Sequence, residues 1–253
     1  MRSHRSLTCL ICVAVVGASS AALASISISS ASVGGSALTG PNIRYANFND
    51  LTVNSTGGLT STAPAGSLQV NLTPGAKVVT GKQSGQYAPP VLSNGNGSNF
   101  GGQFMGADGT PYITTGSTGA TPNAAAELVF GSATSYFGLL WGSVDSYNKL
   151  TFHLVGGGIE TVTGTDIINF WNAANAPSFP SGSQATGGTL YVNFDSTIGI
   201  EKVVATSSSY AFEFDNVAYE SPLGQIQAVP EATSVVAWAS MLIVGAALVR
   251  RRV

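Results

Sequence analysis

Two carboxylates, Glu213 and Asp215, stand two residues apart in the run Tyr210-Ala211-Phe212-Glu213-Phe214-Asp215-Asn216. Their alternation with the rings of Tyr210, Phe212 and Phe214 marks an extended strand, in which side chains change face at every residue. Both acids then share one face, roughly 6.5 to 7 Å apart along the strand. Glycoside hydrolysis uses two carboxyl groups roughly 5 to 9.5 Å apart, one of them kept protonated by burial. With the three rings on the core side, the pattern predicts that Glu213 and Asp215 face solvent, where nothing raises a carboxyl pKa. The chain is therefore read as non-catalytic. Other chemistries fail on residue type. His153 is the single histidine after residue 24 and is expected on a solvent-facing strand position, which leaves no Ser-His-Asp triad and no histidine metal cluster. There is no G-x-S-x-G elbow. Between Gly75 and Gly81 lie five residues, and Gln83 stands where a phosphate loop needs Ser or Thr.

The N-terminus carries Arg2, His4 and Arg5, an apolar run from Leu7 to Val16, and the small-x-small triplet Ala22-Leu23-Ala24. This order predicts a secretory signal peptide over 1–24, cut after Ala24, so that the mature chain begins near Ser25. Both cysteines, Cys9 and Cys12, fall inside it, so the exported body has neither disulfides nor thiolate chemistry. From 26 to 227, five basic residues stand against eleven acidic ones, a formal charge of −6. With no basic cluster, nucleic acid is excluded as a partner on electrostatic grounds.

The remaining body, 25–228, suits one domain. Its first part is broken by Gly57-Gly58, Pro74-Gly75, Pro89-Pro90, Asn94-Gly95-Asn96-Gly97 and Asp108-Gly109, which predicts short strands in long polar loops. Longer apolar pieces follow: 126–130, 136–141, 150–155, 159–163, 189–194, 200–206 and 210–219. Leu150, Phe152 and Leu154 alternate with Lys149, Thr151 and His153, the pattern of a half-buried antiparallel strand. No stretch of the body carries a helical period. The expectation is an all-β protein, a single β-sandwich of jelly-roll type, with the strand of Phe212 and Phe214 pairing with one near the domain's start. Trp141, Tyr147 and Trp171 lie near apparent strand ends, where ring faces stack on sugars. Trp141 closes an apolar strand and is assigned to the core, which leaves Tyr147 and Trp171 as candidate ligand-binding rings.

At the C-terminus, residues 232–249 carry no charge, and 18 residues at about 1.5 Å rise give roughly 27 Å of helix, about a bilayer's hydrocarbon thickness. This predicts a transmembrane helix. Arg250, Arg251 and Arg252 beyond it stay in the cytoplasm by the positive-inside tendency, which leaves the body on the other side. The order Val229-Pro230-Glu231, apolar helix, arginine cluster resembles the PEP-CTERM sorting signal of Gram-negative bacteria, here over 229–253, with Ala232 in place of the usual second proline. The resemblance implies recognition by an exosortase, removal of the helix after an inner-membrane intermediate, and passage to the cell surface or extracellular matrix. A plain tail anchor in the inner membrane would use the same segment. The second half, through Phe137 to Asn148, Thr163-Gly164-Thr165-Asp166, and Ser207 to Ala218, resembles a group of exosortase-dependent surface proteins of unassigned biochemistry.

These readings imply a structural or adhesive surface protein; a module binding extracellular polysaccharide is the alternative and a polysaccharide-active enzyme the third. No cofactor is called for beyond calcium. Asp50, in Asn47-Phe48-Asn49-Asp50, and Asp215, in Phe214-Asp215-Asn216, resemble the ends of carbohydrate-binding jelly rolls, where first and last strands pair and oxygen ligands hold a structural Ca²⁺. The same side chains also cap turns.

Overall fold

The computed structural model describes residues 25–64, 66–116, 124–175 and 177–220. The signal-peptide segment 1–24, with Ala22 and Ala24, and the sorting segment 229–253, with its predicted helix, lie outside the described residues. Among those described, no helix is long and apolar enough to cross a membrane.

The described residues form thirteen strands: β1 (Ile26–Ser32), β2 (Ile43–Ala46), β3 (Gly57–Thr62), β4 (Gly66–Leu72), β5 (Lys77–Val79), β6 (Val91–Leu92), β7 (Gly106–Ala107), β8 (Tyr112–Thr115), β9 (Ala125–Gly142), β10 (Asn148–Leu154), β11 (Ile159–Thr163), β12 (Leu190–Ser207) and β13 (Phe212–Glu220). All but β6 and β7 join one antiparallel sheet network whose longest path runs β11-β10-β12-β9-β13-β8-β5. The described residues are mostly β-strand in a large antiparallel sheet, consistent with the expected all-β class. β13 pairs with β2, Val217 opposite Ala46, so the last strand does meet one near the start of the domain.

Two long strands organise the rest. The apolar pieces read separately as 126–130 and 136–141 are one strand, β9, and those at 189–194 and 200–206 are one strand, β12. Polar residues between them interrupt the hydrophobic pattern without ending the ladder. The register shifts instead, between Asp195 and Ile200 and again before Lys202, as irregularities that bend strands do. The second half of β12 and first half of β9 run with β10 and β4, while the other halves run with β1 and β13. Phe152 of β10 meets Phe137 of β9 edge-on and Phe194 of β12 at 5.1 Å, so both arms contribute to one core. As predicted, Leu150, Phe152 and Leu154 are buried while Lys149 is exposed.

One element was missed. Residues Gly164–Ala174 form an α-helix, α1, capped by Thr163. The Asp166 carboxylate accepts the Thr163 amide at 2.8 Å and the Thr163 hydroxyl receives the Asp166 amide, a reciprocal capping box. Ile167 is fully buried, and Ile168 and Trp171 pack partly onto the core. In eleven residues that stripe is too short to stand out against β-branched neighbours.

Candidate functional site

The decisive correction concerns β13. Phe212 and Phe214 are fully buried, as expected, with Phe212 stacked on Trp141 at 4.3 Å. Yet Glu213 is only 2 % exposed and Asp215 is fully buried, so the acid face is not the solvent face. The reason is a second, smaller apolar cluster on that face. There Leu140 of β9, Tyr191 of β12 and Ala218 of β13 pack with Leu92 of the short strand β6 and with Ala37 and Phe100 from the glycine-rich connections. Strands buried on both sides must bury whatever alternates with their rings. Tyr210, in contrast, is no core ring: it precedes β13 and is half-buried at a cleft.

That cleft, of about 240 Å³, is lined by Glu213, Asp145, Tyr147, Tyr210, Gln86 and Gln184 among others. β13 supplies Glu213, the turn after β9 supplies Asp145 and Tyr147, and the loop before β6 supplies Gln86. Glu213 Oε1 accepts the Ala88 amide at 2.9 Å, whereas Oε2 is buried without a partner. Burial pushes the Glu213 carboxyl from 4.5 up to about 7, against the pull of the Ala88 amide and with help from the negative charge of Asp145. Asp145 is also raised by burial, partly offset by hydrogen bonds from Tyr147 and Ser181. The Tyr147 hydroxyl lies 2.7 Å from both Asp145 Oδ2 and the Tyr210 carbonyl, tying two walls of the cleft together. Gly182 closes another wall with φ at +69°, and a Cβ there would stand 2.6 Å from Asp145 Oδ1. The arrangement offers two carboxyl groups, two amides and two phenols to a polar ligand, with one carboxyl poised to hold or release a proton near neutrality.

Further along β13, Asp215 faces a different setting. Burial pushes its carboxyl well above the usual range, reinforced by the charge and carboxyl of Asp108 and opposed by the amides of Asn216 and Phe48. Neither carboxylate oxygen of Asp215 has a partner in hydrogen-bond geometry. Asn216 holds a φ of 51°, and the β13–β9 register shifts between Asp215 and Ala218, a bulge that re-aims the side chains.

The other expected site residues separate. Asp50 is exposed on an open groove, its Oδ2 accepting the Ser61 amide at 2.9 Å, and the side-chain carboxyl acting on Asp215 belongs to Asp108 instead. Tyr147 lines the cleft. Trp171 sits on α1, edge-on to Phe179 at 5.8 Å and packed on the core, away from the residues that line the cleft. Trp141 is fully buried, as assigned. His153 is half-buried on the polar face of β10. No protein-family model matches this chain, and no curated protein matches it. Asp145, Asp108, Gln86 and Gln184 escaped the sequence reading. Asp145 and Asp108 both sit in turn-like text, Val144-Asp145-Ser146 and Ala107-Asp108-Gly109, where an acid ordinarily caps a turn.

Proposed function

We propose that this is an exported surface or matrix protein, released from an inner-membrane intermediate by exosortase processing, whose β-domain acts structurally or as an adhesin. The observation that carries this reading is the C-terminal order of Val229, Pro230 and Glu231, an uncharged span, and Arg250 to Arg252. The domain is a jelly-roll sandwich in this reading, its two layers made by the bend of β9 and β12. A feature at the other end supports export. The Ser25 amide donates to Glu160 Oε1 at 2.8 Å and the Ile26 amide to Oε2 at 3.0 Å. Cleavage after Ala24 would turn that Ser25 amide into an ammonium already facing a carboxylate. Intact-mass analysis of the protein recovered from the cell surface tests the proposal: the expected species runs from Ser25 to near residue 230. A surface form that retains Arg250 to Arg252 overturns it.

A second reading, binding of extracellular polysaccharide, is favoured by the polar cleft around Glu213. Amides, phenols and carboxyls of this kind exchange hydrogen bonds with sugar hydroxyls, and Tyr147 and Tyr210 bring aromatic surface to the same walls. The burial of Glu213 also removes the physical ground for excluding hydrolysis, since a carboxyl near 7 suits a general acid. A glycan array probed with the purified chain separates these readings. Glycan binding lost in Gln86→Ala and Tyr147→Phe assigns the cleft to recognition, and turnover of the bound glycan, lost in Glu213→Gln, would make the protein an enzyme. Absence of both leaves the structural role.

A further inference from the structure

Asp108 and Asp215 form the least compensated polar group among the described residues. Asp108 is 3 % exposed and Asp215 is fully buried, yet three of their four carboxylate oxygens, Asp108 Oδ2 and both of Asp215, have no hydrogen-bond partner. The fourth, Asp108 Oδ1, accepts the Thr110 amide at 2.9 Å and the Thr110 hydroxyl at 2.6 Å, which fixes the orientation of that carboxylate. None of the five basic side chains of the domain is among the groups acting on Asp215. Buried carboxylates stay in a fold when they are paired, protonated or bound to a metal, because the desolvation cost is otherwise several kcal/mol per ion.

A small cavity of about 30 Å³ opens beside Asp108, lined also by Thr110, Asn47, Asn49 and Asn216 among others, and Asp215 stands behind it, next to Asn216 and within reach of the Asp108 carboxyl. That volume suits one ion or one or two waters, not an organic ligand. Its polar side chains offer only oxygen and amide groups, with neither histidine nor cysteine, and Leu92, Phe100 and glycine backbone complete the wall. No group of three His, Cys, Asp or Glu side chains comes together among the described residues, so imidazole or thiolate metals have no site here. Calcium differs, since it completes a shell of six to eight oxygens with amide carbonyls, backbone carbonyls and water. We propose that Asp108 and Asp215, at the bulge of β13, are the carboxylate ligands of one calcium ion, with Asn47, Asn49 and Asn216 supplying neutral oxygens around it. The ion would tie β13 to the Asn47–Asn49 loop after β2 and to the loop that carries β7, the segment that closes the acid face. The open groove at Asp50 is left outside this ligand set. The inference is independent of the sugar-binding reading.

The competing occupant is a proton shared by the two carboxyls, and calcium titration separates the two. The purified full chain, stripped with EDTA, is titrated with CaCl₂ at pH 7.5 by isothermal calorimetry, and its melting followed with and without the ion. One calcium per chain is expected, with melting raised by roughly 5 to 10 °C at about a hundred times Kd. Asp215→Asn and Asp108→Asn should each weaken binding at least tenfold, while Asp50→Asn leaves it unchanged. Asparagine keeps the shape of aspartate and removes a buried like charge, and the wild-type titration needs no variant at all. Absence of calcium binding to the wild type overturns the proposal in favour of the shared proton. Loss of binding in Asp50→Asn with Asp108→Asn unaffected overturns the ligand assignment.

Discussion

The two faces of β13 carry the contrast from which this molecule is best understood. One face presents Phe212 and Phe214 to the main core; the other presents Glu213 and Asp215 to a second layer of loops, and both are closed to solvent. The ring face is held by packing alone, through Trp141 stacked on Phe212 and Phe48 set edge-on to Phe214. On the acid face, geometry is bought with electrostatic cost, one carboxyl held near neutrality and another left without hydrogen bonds.

The largest expected effect lies on the ring face. Phe212→Ala removes a fully buried ring and should destabilise the fold by about 3 to 5 kcal/mol, a sizeable part of the roughly 5 to 15 kcal/mol a domain possesses. Urea unfolding of the purified protein measures it. A loss below about 1 kcal/mol would break the contrast by showing that the ring face is not where stability resides.

The acid face should respond to pH instead. With a folded value of about 7 against an ordinary 4.5, Glu213 holds its proton in the folded state where the unfolded chain has lost it. Stability from this group is therefore full below about pH 4.5, declines as pH rises towards 7, and stays lower above; the decline is about 3 kcal/mol. In Glu213→Gln, which keeps an acceptor for the Ala88 amide, this slope should flatten. Parallel pH–stability curves for wild type and variant would refute the assignment.

Alternation along β13 and β10 was legible because period two reports which residues share a face. It does not report whether a face is covered. That depends on Leu92 and Phe100, isolated apolar residues in text that reads as glycine-rich loop, and on Ala37 far upstream. The same limit explains Asp108, which meets Asp215 only because the loop carrying β7 folds back over the sheet, its Asp108 amide bonded to the Pro90 carbonyl at 2.9 Å. Of the candidate rings, Tyr147 stood near the right strand end. Trp171 did not, since α1 hid behind β-branched residues despite its Thr163–Asp166 capping box.

A smaller effect should appear at the edge of the sheet. Glu160 is pushed up by burial, but the hydrogen bonds from Ser25 and Ile26 outweigh this and hold it below the usual range. Its contribution is thus present above the carboxylate range and lost as pH falls through it, the opposite sign from Glu213. Glu160→Gln should cost about 1 kcal/mol at neutral pH, read by thermal melting of the purified protein.

The most direct test of the covered acid face is the titration of Glu213 itself, followed by the carboxyl ¹³C shift in the labelled full chain with Glu213→Gln for assignment. A midpoint near pH 7 is expected. A midpoint in the ordinary range around 4.5 would mean that this face is wet, that the cleft is a surface dimple, and that the outward orientation inferred from alternation alone was right.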